Sequence, residues 1–461
     1  MEKETEQNKM DKIISLAKRR GFVYPSSEIY GGFAGVYDFG PMGVELENNI
    51  KSHWWKWMVQ RRSDIVGLDS SIFMTPRIWE ASGHTTGFSD PMAECKECNT
   101  RIRVDKALEE IGITADEKMS EEDINKLFED NKDKIKCPKC GKQNFSKAKK
   151  FNLLVKSNLG DFTENNNAPA YLRGETCQGI YVNFLNVVDS MHMKLPFGIA
   201  QIGKAFRNEI SPRQFLFRAR EFEQMEMQYF TRPEDEMVEY KKLKEYRWKA
   251  ILDLGIKEEN LRWKQHENLV FYAKDAWDIE YRYPWGFDEW EGIHARGNYD
   301  LTQHSKGCGK EQNYYDQEKN EKFIPHIIES SVGVGRSVFA VLCDAYTEEE
   351  VGGETRVVLK LDKKIAPIKV AILPLSKKEE LTKPTMELFN SLKNSFVCQY
   401  DETQSIGKRY RRQDEIGTPY CITFDFDSLN DASVTVRDRD TMKQERIKIS
   451  EVENYLKEKL K

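Results

Sequence analysis

The segment Gly203–Phe230, GKAFRNEISPRQFLFRAREFEQMEMQYF, constrains this chain more than any other. It reads as two β-strands joined by a basic loop. Successive side chains of a strand point to opposite faces, so alternation sorts each run into two sets. Gly203, Ala205, Arg207 and Glu209 share a face of the first strand; Arg220, Phe222, Gln224, Glu226 and Gln228 share one of the second. A core face is apolar, and this one carries charges, small residues and one aromatic ring. An arginine for phosphate, a ring for a base and a carboxylate for an amine suit a nucleotide site. The pattern alone equally allows an edge hairpin whose polar face is merely solvated.

FRNE, then a basic loop, then REF resembles motif 2 of the class II aminoacyl-tRNA synthetases. With GGFAGVYDFGPMG near the start and the C-terminal module, the chain resembles the homodimeric glycyl-tRNA synthetases over nearly its whole length. The resemblance implies an α+β fold. Its parts are an antiparallel-sheet catalytic domain of class II type, a zinc-binding insertion, and a C-terminal α/β anticodon-binding domain. The expected division is 1–91 and 151–361 for the catalytic domain, 92–150 for the insertion and 366–461 for the last domain.

A chain of 461 residues exceeds one ordinary core. Its 39% hydrophobic and 32% charged residues fit a soluble protein. No apolar run is long enough to span a bilayer. MEKETEQNKMDK is neither an apolar secretory segment nor an acid-poor transit peptide, so a cytoplasmic location is expected. A net charge of −5 gives no global sign of nucleic acid, so an RNA surface has to be local. Nine cysteines, four of them in Cys95-x-x-Cys98 and Cys137-x-x-Cys140, suit a reduced compartment and one tetrahedral Zn²⁺ on four thiolates. Four protein ligands leave the metal no open position, which makes the site structural.

Along the chain, residues 8–20 read as an amphipathic helix. Pro41 opens a helix to about Gln60, with Leu46, Ile50, Trp54 and Trp57 as its apolar stripe. By resemblance, this helix and a strand DIVGLDSSIFMTP ending at Pro76 form motif 1, which builds the dimer. The charged stretch from Pro233 to about Leu261 reads as a surface helix. FIPHIIESS reads as a buried strand and GVGRSVFAVLCDAY as the helix after it, resembling motif 3. Arg336 lies at that helix's N-terminus, where free N–H groups already favour an anion; Gly333 and Gly335 let one approach. After a linker near 361–366, alternating β and α segments suggest a small, mostly parallel domain resembling the one that binds anticodons. Lys408, Arg409, Arg411 and Arg412 are its phosphate candidates, or simply a solvated helix face.

The resemblance also implies roles. Arg207 and Arg336 are the catalytic residues. Arg207, Asn208, Glu209, Phe217, Arg218, Phe222, Glu291, Gly292, Gly333, Gly335 and Arg336 bind ATP. Phe222 stacks on adenine, Glu209 lies near its amino group, and Mg²⁺ bridges the phosphates to Glu291, with Glu289 alongside. Arg103, Glu175, Phe222, Gln224, Glu226, Arg296, Glu329, Ser331 and Gly333 surround glycine. The partners implied are tRNA(Gly), glycine and a second copy of the chain, with no membrane. LRGETCQG departs from the family's usual LRPETAQG at Gly174 and Cys177, and Ser330 stands where the family has proline. Carboxylates converging on one ammonium repel each other when it is absent, so at least one should have a raised pKa.

Overall fold

A computed structural model describes residues 2–113, 119–159, 168–210, 212, 214–267, 269 and 273–461. Helix α1, Glu2–Arg19, buries Met10, Ile13, Leu16 and Ala17 and begins earlier than its apolar pattern suggested. Helix α2, Pro41–Trp55, starts on its proline and runs into a single π turn, Lys56–Gln60. Leu46, Ile50 and Trp54 are buried as expected. The wider turn then rotates the stripe by a residue, so Met58 is buried in place of Trp57. The Trp57 indole instead donates to Asp253 at 2.8 Å.

The central sheet uses strands β1 (Ile65–Gly67), β2 (Phe197–Phe206) and β3 (Glu221–Thr231), then helix α3 (Glu236–Asp253). Strands β4 (Leu261–Gln265), β5 (Asp275–Tyr283), β6 (Gly286–Gly297) and β7 (His326–Gly333) follow, and helix α4 (Val334–Ala345) leaves β7 directly. Their order is β4-β5-β6-β7-β3-β2-β1, antiparallel except where β1 runs parallel to β2. Inserting β7 between β6 and β3 brings three distant segments onto one face. DIVGLDSSIFMTP is therefore not one strand: β1 ends at Gly67, Phe73–Met74 pairs with Ala168–Leu172, and Pro76 opens the helix Pro76–Ala81. Helix α3 exposes Lys241, Lys242, Glu245 and Lys249, as a surface helix does, but its other face is buried. Tyr240, Leu243 and Ile251 are buried in the core that also holds α2 and α4, and the Tyr240 hydroxyl donates to the Ile293 carbonyl.

The cysteine-bearing insertion stands on a three-stranded sheet, Ser89–Glu94 between Arg101–Arg103 and Lys149–Asn152. Helices Val104–Glu109 and Glu121–Asn131 enclose a separate core around Ile102, Leu108, Phe128 and Phe145.

A hairpin, β8 (Tyr346–Val351) and β9 (Glu354–Leu359), leads to the last unit. It contains β10 (Val370–Pro374), α5 (Glu379–Leu392), β11 (Cys398–Tyr400), α6 (Ile406–Ile416), β12 (Tyr420–Phe424), β13 (Ser433–Asp438), β14 (Gln444–Lys448) and α7 (Val452–Lys459). The order is β11-β10-β12-β13-β14, parallel for the first three strands and antiparallel for the rest. The sheet is thus mixed rather than mostly parallel, because β14, whose residues are largely exposed, showed no apolar run. The linker is packed down: Ile365 and Ala366 are buried, and the Asn49 amide donates to both their carbonyls at 3.2 Å. Beside it, buried Arg356 and Arg437 each donate to Asp414 of α6 at 2.9 Å. Arg409 is also buried, donating to the carbonyls of Pro374 at 2.6 Å and of Asp401 and Leu375 at 3.1 Å. Arg409 therefore holds the fold and cannot hold phosphate; of the four basic candidates Lys408 is exposed and Arg411 and Arg412 are half-buried. Among the described residues, no helix is long and apolar enough to cross a membrane.

Candidate active site

Strands β2 and β3 pair in the register their alternation required. Gly203 lies opposite Gln224 and Ala205 opposite Phe222. Strand β3 next pairs with β7, Glu226 opposite Ser331 and Gln228 opposite Glu329; β7 pairs with β6, Ser331 opposite Gly292 and Glu329 opposite His294. One face of four adjacent strands therefore carries the whole polar set. It floors a cavity of about 490 Å³.

At one end of the cavity, Arg207 lies between two rings, its guanidinium carbon 5.1 Å from Phe88 and 5.5 Å from Phe222. Its Nε donates to the Gly174 carbonyl at 3.1 Å. Arg218 and Glu209 face each other at 4.0 Å. Arg336, in the first turn of α4, lies 4.3 Å from the Phe217 ring and pairs with Glu289 at 2.8 Å. Three arginines, the Phe222 ring on the cavity wall and a helix N-terminus form a receptor for a polyphosphate and a planar base. A methyl group built on Gly333 or Gly335 would meet nothing closer than 3.5 Å and 3.6 Å, so both leave the cavity wall open. Gly203 is small for another reason. A methyl there would strike the guanidinium of Arg173, buried beneath it and bonded to the carbonyls of Lys204 and Ser70 at 2.6 Å.

The other end is acidic and buried. Glu226 is 2% exposed and Glu329 5%. Ser331 donates to Glu226 at 2.8 Å, Gln224 donates at 3.2 Å, and the Thr176 hydroxyl donates to its other oxygen. Burial, then the nearby Glu329 and Glu175, push the Glu226 carboxyl up to about 7 despite those hydroxyls. This is the raised carboxyl that convergence required. Burial would also raise Glu329, but Arg296, 3.0 Å away, and His294, also at 3.0 Å, outweigh it and bring it to about 2. Glu175 is held well below the carboxylate range against its burial, first by His84 at 3.0 Å and then by Arg296. His294 is raised to about 9, because Asp278 and Glu329 on either side overcome its burial. Two ionised carboxylates beside a third poised near neutrality make a trap for a small ammonium group.

Family models and relatives show which family the chain belongs to. The model "tRNA synthetase class II core domain (G, H, P, S and T)" matches residues 161–345, and "Anticodon binding domain" matches 369–459. A glycine–tRNA ligase of Clostridium acetobutylicum is 53% identical over 99% of this chain and 100% of its own length. One from Caldanaerobacter subterraneus subsp. tengcongensis is 50% identical over 98% of each. This chain belongs to the glycine–tRNA ligase family. A crystal structure of prolyl-tRNA synthetase from Cryptosporidium parvum shares the fold, with a TM-score of 0.64 at 16% identity, covering 97% of this chain and 76% of that one.

Most of the expected site residues meet at the cavity: Arg207, Glu209, Phe217, Arg218, Phe222, Gly292, Gly333, Gly335 and Arg336 toward one end, Glu175, Gln224, Glu226, Arg296, Glu329 and Ser331 toward the other. Three do not. Glu291 lies on the opposite face of β6, fully buried, taking hydrogen bonds from Arg247 at 2.6 and 3.0 Å and from Ser330 at 2.7 Å. Its place on the cavity wall belongs to Glu289. The register shift on β5 between Ile279 and Glu280 offsets Glu289 from the plain alternation of the strand. Ser330 thereby gains a reason of its own as a partner for the buried Glu291. Asn208 is exposed beyond the end of β2. Arg103 is tied to Asp105 at 2.6 Å and Asp90 at 3.2 Å at the base of the insertion, outside the cavity lining.

Four residues escaped the sequence reading: Phe88, His84, His294 and Thr176. The two histidines act through carboxylates far away in sequence, so no local pattern marks them. Thr176 does sit between Glu175 and Cys177 in LRGETCQG, a signal that was present.

The four cysteines converge within 4.8 Å of one another, with Sγ–Sγ distances of 3.6 Å for Cys95–Cys140 and 3.5 Å for Cys98–Cys137. Thiolates on a tetrahedral Zn²⁺ at about 2.3 Å lie ~3.8 Å apart, so the set fits zinc. Both pairs turn the same way: the N–H of Asn99 reaches the Cys95 carbonyl at 2.8 Å, and that of Gly141 reaches Cys137 at 2.9 Å. Asn99 and Gly141 both adopt positive φ, 57° and 70°, in which glycine and asparagine are the least strained residues.

Proposed function

We propose that this chain activates glycine with ATP in this cavity and transfers the glycyl group to the 3′ end of tRNA(Gly). The observation that carries the reading is the pairing of an arginine-and-aromatic end with a buried carboxylate end on one strand face. Glycine offers only an ammonium and a carboxylate, and the Glu175–Glu226–Glu329 end receives the ammonium. That points the amino acid's carboxylate toward the Arg207 end, where it attacks the α-phosphorus of ATP and displaces pyrophosphate.

No protein nucleophile is needed. Positioning and charge stabilisation carry phosphoryl chemistry of this kind. Arg207 holds the α-phosphate and stabilises its growing charge, Phe222 stacks on adenine, and Arg218 with Arg336 holds the far phosphates. Glu289 is the carboxylate on that wall that would hold the Mg²⁺ accompanying ATP, which would supply charge neutralisation for the phosphates. Cys95, Cys98, Cys137 and Cys140 would hold Zn²⁺, which would tie the insertion together.

Residues 1–91 and 151–361 form the synthetase core, 92–150 the insertion, and 366–461 the module that holds tRNA. A dimer is supported by the loop after Tyr24, where Ile29, Tyr30 and Phe33 are 89%, 88% and 70% exposed. A second copy would give these exposed side chains a partner surface.

Incubating the purified protein with labelled glycine, ATP and total tRNA tests the assignment. Label should become attached to tRNA and be released by mild alkali. Attachment of another amino acid in place of glycine would overturn it.

A further inference from the structure

His266, just beyond β4, Asp278 on β5 and His294 on β6 present one ligand atom each within 4.8 Å of one another. His266 Nε2 lies 2.7 Å from Asp278 Oδ2, and His294 Nε2 lies 3.8 Å from Asp278 Oδ1. His294 Nε2 is buried and has no hydrogen-bond partner, although the ring's other nitrogen, Nδ1, is bonded to Glu329 at 3.0 Å. Its nearest charge partner, Asp278 Oδ1 at 3.8 Å, stands beyond hydrogen-bond length. Metal-bound histidines have this arrangement, one ring nitrogen held by a carboxylate while the other faces the ion. Room is kept for it by Gly292, where an added methyl group would lie 2.9 Å from the His294 ring and 3.4 Å from Asp278.

We propose that His266, Asp278 and His294 bind a late first-row divalent cation, Zn²⁺, Co²⁺ or Ni²⁺, at a site separate from the four cysteines. Two imidazoles and one carboxylate suit such ions and not Mg²⁺, which takes oxygen ligands. Three protein ligands leave a position open, and His266 and His294 both line the cavity, so water or a bound anion can complete the coordination. The ion takes the place of protons on the two imidazoles, which are released on binding. Its charge faces the same space as Arg207 and Arg218, adding to the attraction for an anionic ligand.

The test adds Co²⁺ to the full-length, zinc-loaded protein and follows visible absorption and stoichiometry. One further equivalent per chain should bind, with d–d bands and no thiolate charge-transfer band. His266→Ala, at a partly exposed position where folding is least at risk, should weaken that binding by ~10-fold or more, and His294→Ala should do the same. No uptake beyond the thiolate site, or uptake that His266→Ala leaves unchanged, would overturn the proposal.

Discussion

Glu226→Gln separates the role of this carboxylate from its cost. The substitution keeps the shape and removes the charge. In the ligand-free protein the Glu226 carboxyl is raised to about 7 against an ordinary 4.5. The sign follows from proton binding. Below pH 4.5 folded and unfolded chains both hold the proton; between 4.5 and 7 only the folded chain does, so stability falls as pH rises through that window. Above pH 7 the accumulated cost levels off at ~3 kcal/mol, since each pKa unit is worth about 1.4 kcal/mol. Glutamine escapes that cost but loses acceptor strength toward Thr176 and Ser331, worth ~1 kcal/mol per bond at either pH.

The stability of the variant relative to the parent should therefore improve by about 2–3 kcal/mol between pH 5 and pH 8, read from urea unfolding without ligands. Function should move the other way. Loss of a charged hydrogen bond to the ammonium, ~1.5–3 kcal/mol, raises KM for glycine by roughly 10- to 150-fold and leaves KM for ATP unchanged. A stability difference that ignores pH, or equal shifts in the two KM values, would refute the reasoning.

Arg207→Ala should lower kcat for adenylate formation by ~10²-fold or more, the scale of a lost electrostatic donor; near-normal turnover in the folded variant would remove Arg207 from the chemistry. Cys137→Ser should lower bound zinc, measured by metal analysis, and expose the insertion's amides to hydrogen exchange while the central sheet stays protected. Asp414→Ala should destabilise the chain by ~3–5 kcal/mol, since it strands the buried guanidinium of Arg437 without its carboxylate and leaves Arg356 with Glu349 alone. A thermal midpoint like that of the parent would show that this cluster does not tie β9 to α6.

The floor of the site was legible in the sequence because alternation is local. Once Arg207 and Phe222 were placed on one face, Glu226 and Gln228 had to follow. Assembly across strands was not legible. Strand β7 enters between β3 and β6 from a hundred residues away, and only that insertion puts His294 against Glu329. Glu291 was misplaced for the same reason: its strand was recognised, but its face depends on the pairing with β5 and β7 and on the shift near Ile279. Composition misled for α3, where Arg247 looked like a solvated charge and is the buried partner of Glu291. Gly203, one of the small residues on that face, makes room for Arg173. In the last unit, β14 carries its charges outward and has no apolar run to reveal it.

Pyrophosphate exchange into ATP, run with glycine, alanine and serine in parallel, tests the central claim most directly. It reads adenylate formation alone, without tRNA. A site that grips an ammonium between Glu175, Glu226 and Glu329 and is selective for glycine should reject an added methyl group by ~1–3 kcal/mol. Exchange should depend on glycine and fall by at least about tenfold in kcat/KM with alanine, and further with serine. Exchange that proceeds equally with alanine, or that does not respond to glycine, would contradict the account.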